Sequence, residues 1–198
     1  MKIYKMVTDI AKSYEGVREG TKEHQQIVND YNSILPHPRG YKLNESDSWC
    51  AAWVSVVMLR SGISTFPYEC GVYEMWKALY NRGNLIRGRL PRPGELIFYN
   101  YSHVGIVLGS NIDDGLIVVI EGNSNNRVRM RNIYFNDKTI KGFASPITYT
   151  LTDVCNQVIN GWWRNGEERR RSLTKGGYDY VQIQSGVNKI LGVKNGVD

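Results

Sequence analysis

Ser48-Trp49-Cys50-Ala51-Ala52-Trp53-Val54-Ser55 leads into a segment, Cys50 to Arg60, rich in Ala, Val, Trp and Leu and followed by Ser61-Gly62. A run of this composition and length reads as a buried helix that Gly62 can end in the left-handed conformation. Cys50 then stands at the helix start. Downstream, Val72 to Tyr80 has the spacing of a further short helix, and Pro91-Arg92-Pro93-Gly94 is a turn cluster. Three apolar runs of strand length follow: Glu95 to Tyr99, His103 to Leu108 and Leu116 to Glu121. Asn, Gly, Ser and Asp separate them, so they predict an antiparallel meander packed against the Cys50 helix. Upstream, Ile27, Val28, Tyr31 and Ile34 recur at helical spacing within Thr21 to Ile34, and Pro36 and Pro38 end the pattern. The expected class is α+β, with N-terminal helices packed on an antiparallel sheet.

After Ser145-Pro146 the pattern turns helical again. Thr152 is placed to cap a helix through Ile159, Asn165-Gly166 opens a basic helix from Glu167 to Lys175, and Asp179 caps a last helix through Leu191. This predicts a small three-helix bundle. A chain of 198 residues holds one ordinary domain and a small extra unit, and the expected division is 1–148 and 149–198.

Composition narrows the classes. At 41% hydrophobic and 22% charged, the chain can bury a core and is no disordered tail. No apolar stretch approaches the roughly 20 residues of a membrane span, and the first nine residues lack the apolar core of a signal peptide. The expectation is synthesis in a cytoplasm without unaided Sec export. Three cysteines are too few and too odd for a disulfide framework. The formal charge of +6 favours polyanions, but it does not choose between nucleic acid and an anionic wall polymer.

A thiol attacks as the thiolate, and the free N–H groups of a helix N-terminus stabilise that charge and can hold an oxyanion. Cys50 has both kinds of help within reach. Of three histidines, only His103 begins a core strand; His24 falls in a polar helix and His37 between prolines. Glu121 and Asn123 end the third strand two residues apart, so side chains at those positions share a face, and either can orient the His103 ring. Taken singly, each residue has a plainer reading: a small buried thiol, a structural histidine, a solvated turn. The four together are more specific.

Trp49-Cys50-Ala51-Ala52-Trp53-Val54, Arg92-Pro93-Gly94-Glu95-Leu96-Ile97-Phe98-Tyr99, His103-Val104-Gly105-Ile106-Val107 and Ile120-Glu121-Gly122-Asn123 resemble, in order, the motifs of the CHAP family. Its members are cysteine, histidine-dependent amidohydrolases and peptidases of the papain-like superfamily. The resemblance implies a papain-like fold, Cys50 as nucleophile, His103 as base and then acid, Glu121 as orienting carboxylate and Asn123 as a supporting polar group. Trp49, beside the nucleophile, becomes a candidate substrate contact. Relatives that bind calcium do so just before the cysteine, where Asn44, Glu45 and Asp47 supply too few oxygens; no metal and no cofactor is expected.

Val158 to Arg169, with Leu173, Gly177-Tyr178-Asp179-Tyr180 and Val187-Asn188, resembles the short Cpl-seven type of wall-binding repeat found in phage lysozymes, a three-helix bundle. Read physically, Trp163, Tyr178 and Tyr180 can offer apolar faces to sugar rings, and Arg164, Arg169 and Asp179 can hydrogen-bond polar edges. The alternative use of these aromatic rings is to fill the core of a bundle this small. The two resemblances together imply an endolysin that cuts an amide bond of bacterial peptidoglycan, as an N-acetylmuramoyl-L-alanine amidase or an endopeptidase. The implied partners are peptidoglycan and anionic wall polymers, with no nucleic acid and no membrane, and release from the host cytoplasm to the wall. Two alternatives use the same features: a non-catalytic wall-binding protein on the same scaffold, and an acyltransferase working through a thioester.

Overall fold

The computed structural model describes residues 2–111 and 114–193. The last five residues of the expected C-terminal domain, 194–198, therefore lie outside the described residues. The chain forms two compact units: residues 1–85 with 91–147, and 86–90 with 148 onward.

In the first unit, α1 (Lys2–Ser13), α2 (Lys22–Asn32), α3 (Cys50–Arg60) and α4 (Val72–Asn81) precede the sheet. Helix α1 lies beyond the expected elements, in the segment read above only against a signal peptide. Its signal is nonetheless helical: Tyr4, Val7, Ala11 and Tyr14 are buried at intervals of three and four. Helix α2 starts where Thr21 accepts a hydrogen bond from the His24 N–H. Its histidine is not on a polar face, since His24 is fully buried and its ring lies 4.8 Å from that of Trp49. Helix α3 is enclosed from Cys50 through Met58 and ends before Gly62, whose φ is 73°, as its composition required.

The strands are β1 (Leu85–Ile86), β2 (Leu96–Tyr99), β3 (His103–Asn111), β4 (Leu116–Glu121), β5 (Arg129–Tyr134) and β6 (Ile140–Ala144), in the sheet order β1-β6-β2-β3-β4-β5. The pairs from β6 through β5 are antiparallel. The three apolar runs became β2, β3 and β4. Strand β5, Arg-Met-Arg-Asn-Ile-Tyr, escaped notice because it is a sheet edge with much of its surface in water, and so carries no apolar run.

Pairing register sorts the side chains onto two faces. Leu96, Phe98, Val104, Ile106 and Ile120 join the helices in the main core. Ile97, Tyr99, Val107, Ile117, Val119 and Ile133 form a second apolar layer. The partners Tyr99↔His103, Gly105 beside Ile97, and Val119↔Arg131 place His103, Gly105, Glu121 and Arg131 on the face of that second layer, at one end of the sheet.

The second unit contains α5 (Leu151–Ile159), α6 (Gly166–Lys175) and α7 (Tyr180–Leu191). Its core is Val154, Cys155, Val158, Trp163, Leu173, Ile183 and Val187. Thr150, two residues before the expected Thr152, caps α5 through a reciprocal capping box with Asp153. Asp179 caps α7 by accepting from the Gln182 N–H at 3.0 Å. The segment 86–90 belongs to this unit: the Arg89 guanidinium lies over the rings of Tyr149, Trp162 and Trp163 at 5.8, 5.5 and 5.7 Å.

Candidate active site

Cys50 is the first residue of α3 and is almost wholly buried. The residue before it, Trp49, gives the helix no side-chain cap, so the first N–H groups of α3 are not consumed by one. A buried, uncapped helix start is a favourable setting for an anion.

His103, the first residue of β3, interacts with both Cys50 and Glu121. Its Nε2 lies 3.5 Å from Glu121 Oε2, at ion-pair distance but outside hydrogen-bonding geometry. Glu121, only 1% exposed, is the last residue of β4. Its Oε1 accepts from the Tyr99 hydroxyl, and its Oε2 from Arg131 Nε at 2.9 Å.

Two glycines make this packing possible. A Cβ on Gly105 would stand 2.7 Å from Glu121 Cγ, and one on Gly122 would stand 2.8 Å from the Trp53 ring. Only hydrogen at these positions lets Glu121 lie across β3 and lets the β4 end approach α3.

The charges follow from these contacts. Burial pushes Glu121 up, but the facing His103 ring and the hydrogen bonds from Arg131 and Tyr99 outweigh it and hold the carboxyl at about 2. Burial pushes His103 down, and Cys50 followed by Glu121 outweighs it, lifting the ring to about 9. At neutral pH Glu121 is therefore ionised and His103 protonated.

The other expected contacts divide sharply. Asn123 lies beyond the strand, in a turn with φ 55°, and makes no side-chain hydrogen bond among the described residues. The same-face argument applied to strand residues only, and β4 stops at Glu121. Trp49 does not line a groove. It is 0% exposed, donates from Nε1 to Glu19 at 3.0 Å and packs on His24, which corrects the expectation of a substrate contact. Trp163 is corrected likewise: at 2% exposure it fills the core of the second unit and donates to Gln157 at 3.0 Å. Tyr178 packs edge-on against it, 5.5 Å between centroids. Arg169 bonds the Arg164 carbonyl, Asn165 and Gln184, and the exposed Arg164 pairs with Glu168. Asp179 is occupied as a cap.

Tyr99, Tyr101 and Arg131 were missed. Tyr99 stood inside an apolar run and Arg131 in an unrecognised strand, so only pairing brings them to Glu121. Among the described residues no group of three His, Cys, Asp or Glu side chains can hold a metal, and Asp47 spends its carboxylate on the Asn44 N–H and the Tyr41 hydroxyl within its own loop. All three cysteines are free; Cys155 is buried and donates to the Ile183 carbonyl at 3.5 Å. No described helix is long and apolar enough to cross a membrane.

A cysteine opening a buried helix, with a histidine and a glutamate on adjacent antiparallel strands, belongs to a mixed α+β architecture of helices followed by an antiparallel sheet. Comparison with known families is more specific: residues 40–123 match the CHAP domain family and residues 152–191 match the CW_7 repeat. The chain is also 35% identical over 119 residues to a lysozyme of Streptococcus phage Cp-7, an alignment covering 59% of this chain and 29% of that protein. It thus spans less than a third of that relative's length. No solved structure matches it.

Proposed function

We propose that this chain is a cysteine-dependent peptidoglycan hydrolase of the endolysin kind, cutting an amide bond of the bacterial wall. The observation that carries the reading is that the His103 ring interacts with both Cys50, at the uncapped start of α3, and the buried Glu121 carboxylate 3.5 Å away. The CHAP domain, the CW_7 repeat and the similarity to a phage lysozyme supply the substrate class.

In this mechanism the Cys50 thiolate attacks the amide carbonyl carbon, and the carbonyl electrons move onto oxygen, which the first N–H groups of α3 receive. Collapse expels the amine, to which the His103 imidazolium gives its proton, leaving a thioester. His103, now neutral, takes a proton from water as the hydroxyl attacks the thioester. Collapse of the second tetrahedral species releases the carboxylate product and regenerates Cys50. Glu121 holds the ring in its orientation and offsets the imidazolium charge. The second unit would keep the enzyme on an insoluble polymer and raise local substrate concentration.

Incubation with purified wall should release new free amino groups, and a Cys50→Ala protein should release none. Equal release by that variant would sink the reading. Mass spectrometry of the solubilised fragments decides between an amidase product, cut between lactyl group and L-alanine, and an endopeptidase product.

A further inference from the structure

We propose that Arg131 is a positioning residue of the Cys50 site, fixing the Glu121 carboxylate and the Tyr101 ring together around His103. The proposal rests on the hydrolase reading above and extends it to a residue outside the nucleophile, base and orienter. Arg131 comes from the edge strand β5, opposite Val119, which puts its side chain on the Glu121 face. It donates from Nε to Glu121 Oε2 and from a terminal nitrogen to the Tyr101 hydroxyl, each at 2.9 Å. Its guanidinium carbon also sits 5.0 Å from the centre of the Tyr99 ring.

These contacts close a circuit. Tyr99 holds one Glu121 oxygen, while Arg131 and His103 share the other. Tyr101 is stacked on Tyr99 at 5.0 Å and on His103 at 5.9 Å, with its plane only 15° from that of His103. Arg131 therefore restrains the imidazole twice, through the carboxylate beneath it and through the ring beside it. A guanidinium fork suits this because its N–H groups diverge in a fixed plane, whereas an ammonium is a point charge. The groups facing Glu121 are Tyr99 from β2, His103 from β3 and Arg131 from β5. Arg129 lies opposite in the register, bonded to Ser124 Oγ at 2.9 Å, and Cys50 acts through His103.

A merely structural ion pair would change stability and nothing else, so the test needs a readout tied to the thiolate. Iodoacetamide alkylation of Cys50, followed across pH by mass spectrometry of its peptide, needs no wall substrate. In Arg131→Met the carboxylate loses a cationic partner and takes up a proton at higher pH. The acid limb of the alkylation profile should then move up by about one unit, and kcat on wall should fall about 10- to 100-fold with little change in apparent KM. Arg131→Lys, keeping charge without the fork, should restore the acid limb while leaving kcat several-fold low. Should Arg131→Met not fold, Tyr101→Phe removes one acceptor of the fork without touching Glu121, and a several-fold fall in kcat is expected. Profiles and kcat superimposable on the native protein in these variants would overturn the proposal. Retained hydrolysis in Cys50→Ala would instead defeat the reading beneath it, which keeps the two failures apart.

Discussion

Tyr99 in the first unit and Trp163 in the second are both large aromatic residues, almost completely enclosed, and both use their polar atom on a buried neighbour. Tyr99 gives its hydroxyl to Glu121; Trp163 gives its indole N–H to Gln157. The neighbours differ in kind. Glu121 is a charge that also faces His103 and Arg131, so the Tyr99 contact enters a network leading to the proposed nucleophile. Gln157 is neutral, and its contact ends there, among the apolar side chains of a small core. Aromatic residues in a three-helix unit are needed as filling first, and a buried aromatic becomes part of a site only when its polar end meets something that titrates or reacts.

The largest test of this contrast is Cys50→Ala, which should lower hydrolysis of purified wall at least about 10³-fold. Retention of the same protein on sedimented wall should be unchanged. If retention falls in parallel, the two units do not divide the work as described.

Glu121→Gln keeps the shape and removes the charge, and should cost about 10²- to 10⁴-fold in hydrolysis. Its stability profile is more diagnostic. Native Glu121 is held at about 2 against an ordinary 4.5, so its contribution is present above 4.5 and is lost as pH falls toward about 2. His103 is raised from 6.5 to about 9, so its contribution is present below 6.5 and disappears as pH rises through about 9. Thermal melts of Glu121→Gln should lack the acid loss and should show the alkaline loss at lower pH.

Gly105→Ala would place a methyl 2.7 Å from Glu121 Cγ and should lower hydrolysis about 10-fold or more by displacing the carboxylate. Wall retention serves as the control. In the second unit, Trp163→Ala should cost about 3–5 kcal/mol of stability by opening a cavity, with retention lost through unfolding. Trp163→Phe should melt lower yet still be retained, and loss of retention without loss of structure would return Trp163 to the binding face. The smallest effect expected is that of Asp179→Ala, about 1 kcal/mol from a lost helix cap, read by thermal denaturation.

Much of the candidate site was legible in order along the chain. Cys50 announced itself by opening an apolar run, His103 by beginning one and Glu121 by ending one. Each lies at a boundary where hydrophobic patterning changes, and such boundaries are local properties of sequence. Trp49 and Trp163 were misjudged because a tryptophan beside a nucleophile or an arginine looks the same whether its ring faces water or core. Exposure is settled by what packs over a residue, often from far along the chain, as Glu19 does over Trp49.

The sequence by itself determined the α+β class, the thiol at a helix start and the three-helix unit at the C-terminal end. Periodicity, caps and turn residues act over a few neighbours, and they carried those conclusions. Only the tertiary structure decided that Glu121 lies against His103 while Asn123 falls in the turn beyond the strand, that Gly105 gives Glu121 its room, and that Arg131 from an edge strand joins the network. Strand register produced these results. A carboxylate, a phenol and a guanidinium separated by up to 32 positions in the chain meet only after β2, β3, β4 and β5 have paired.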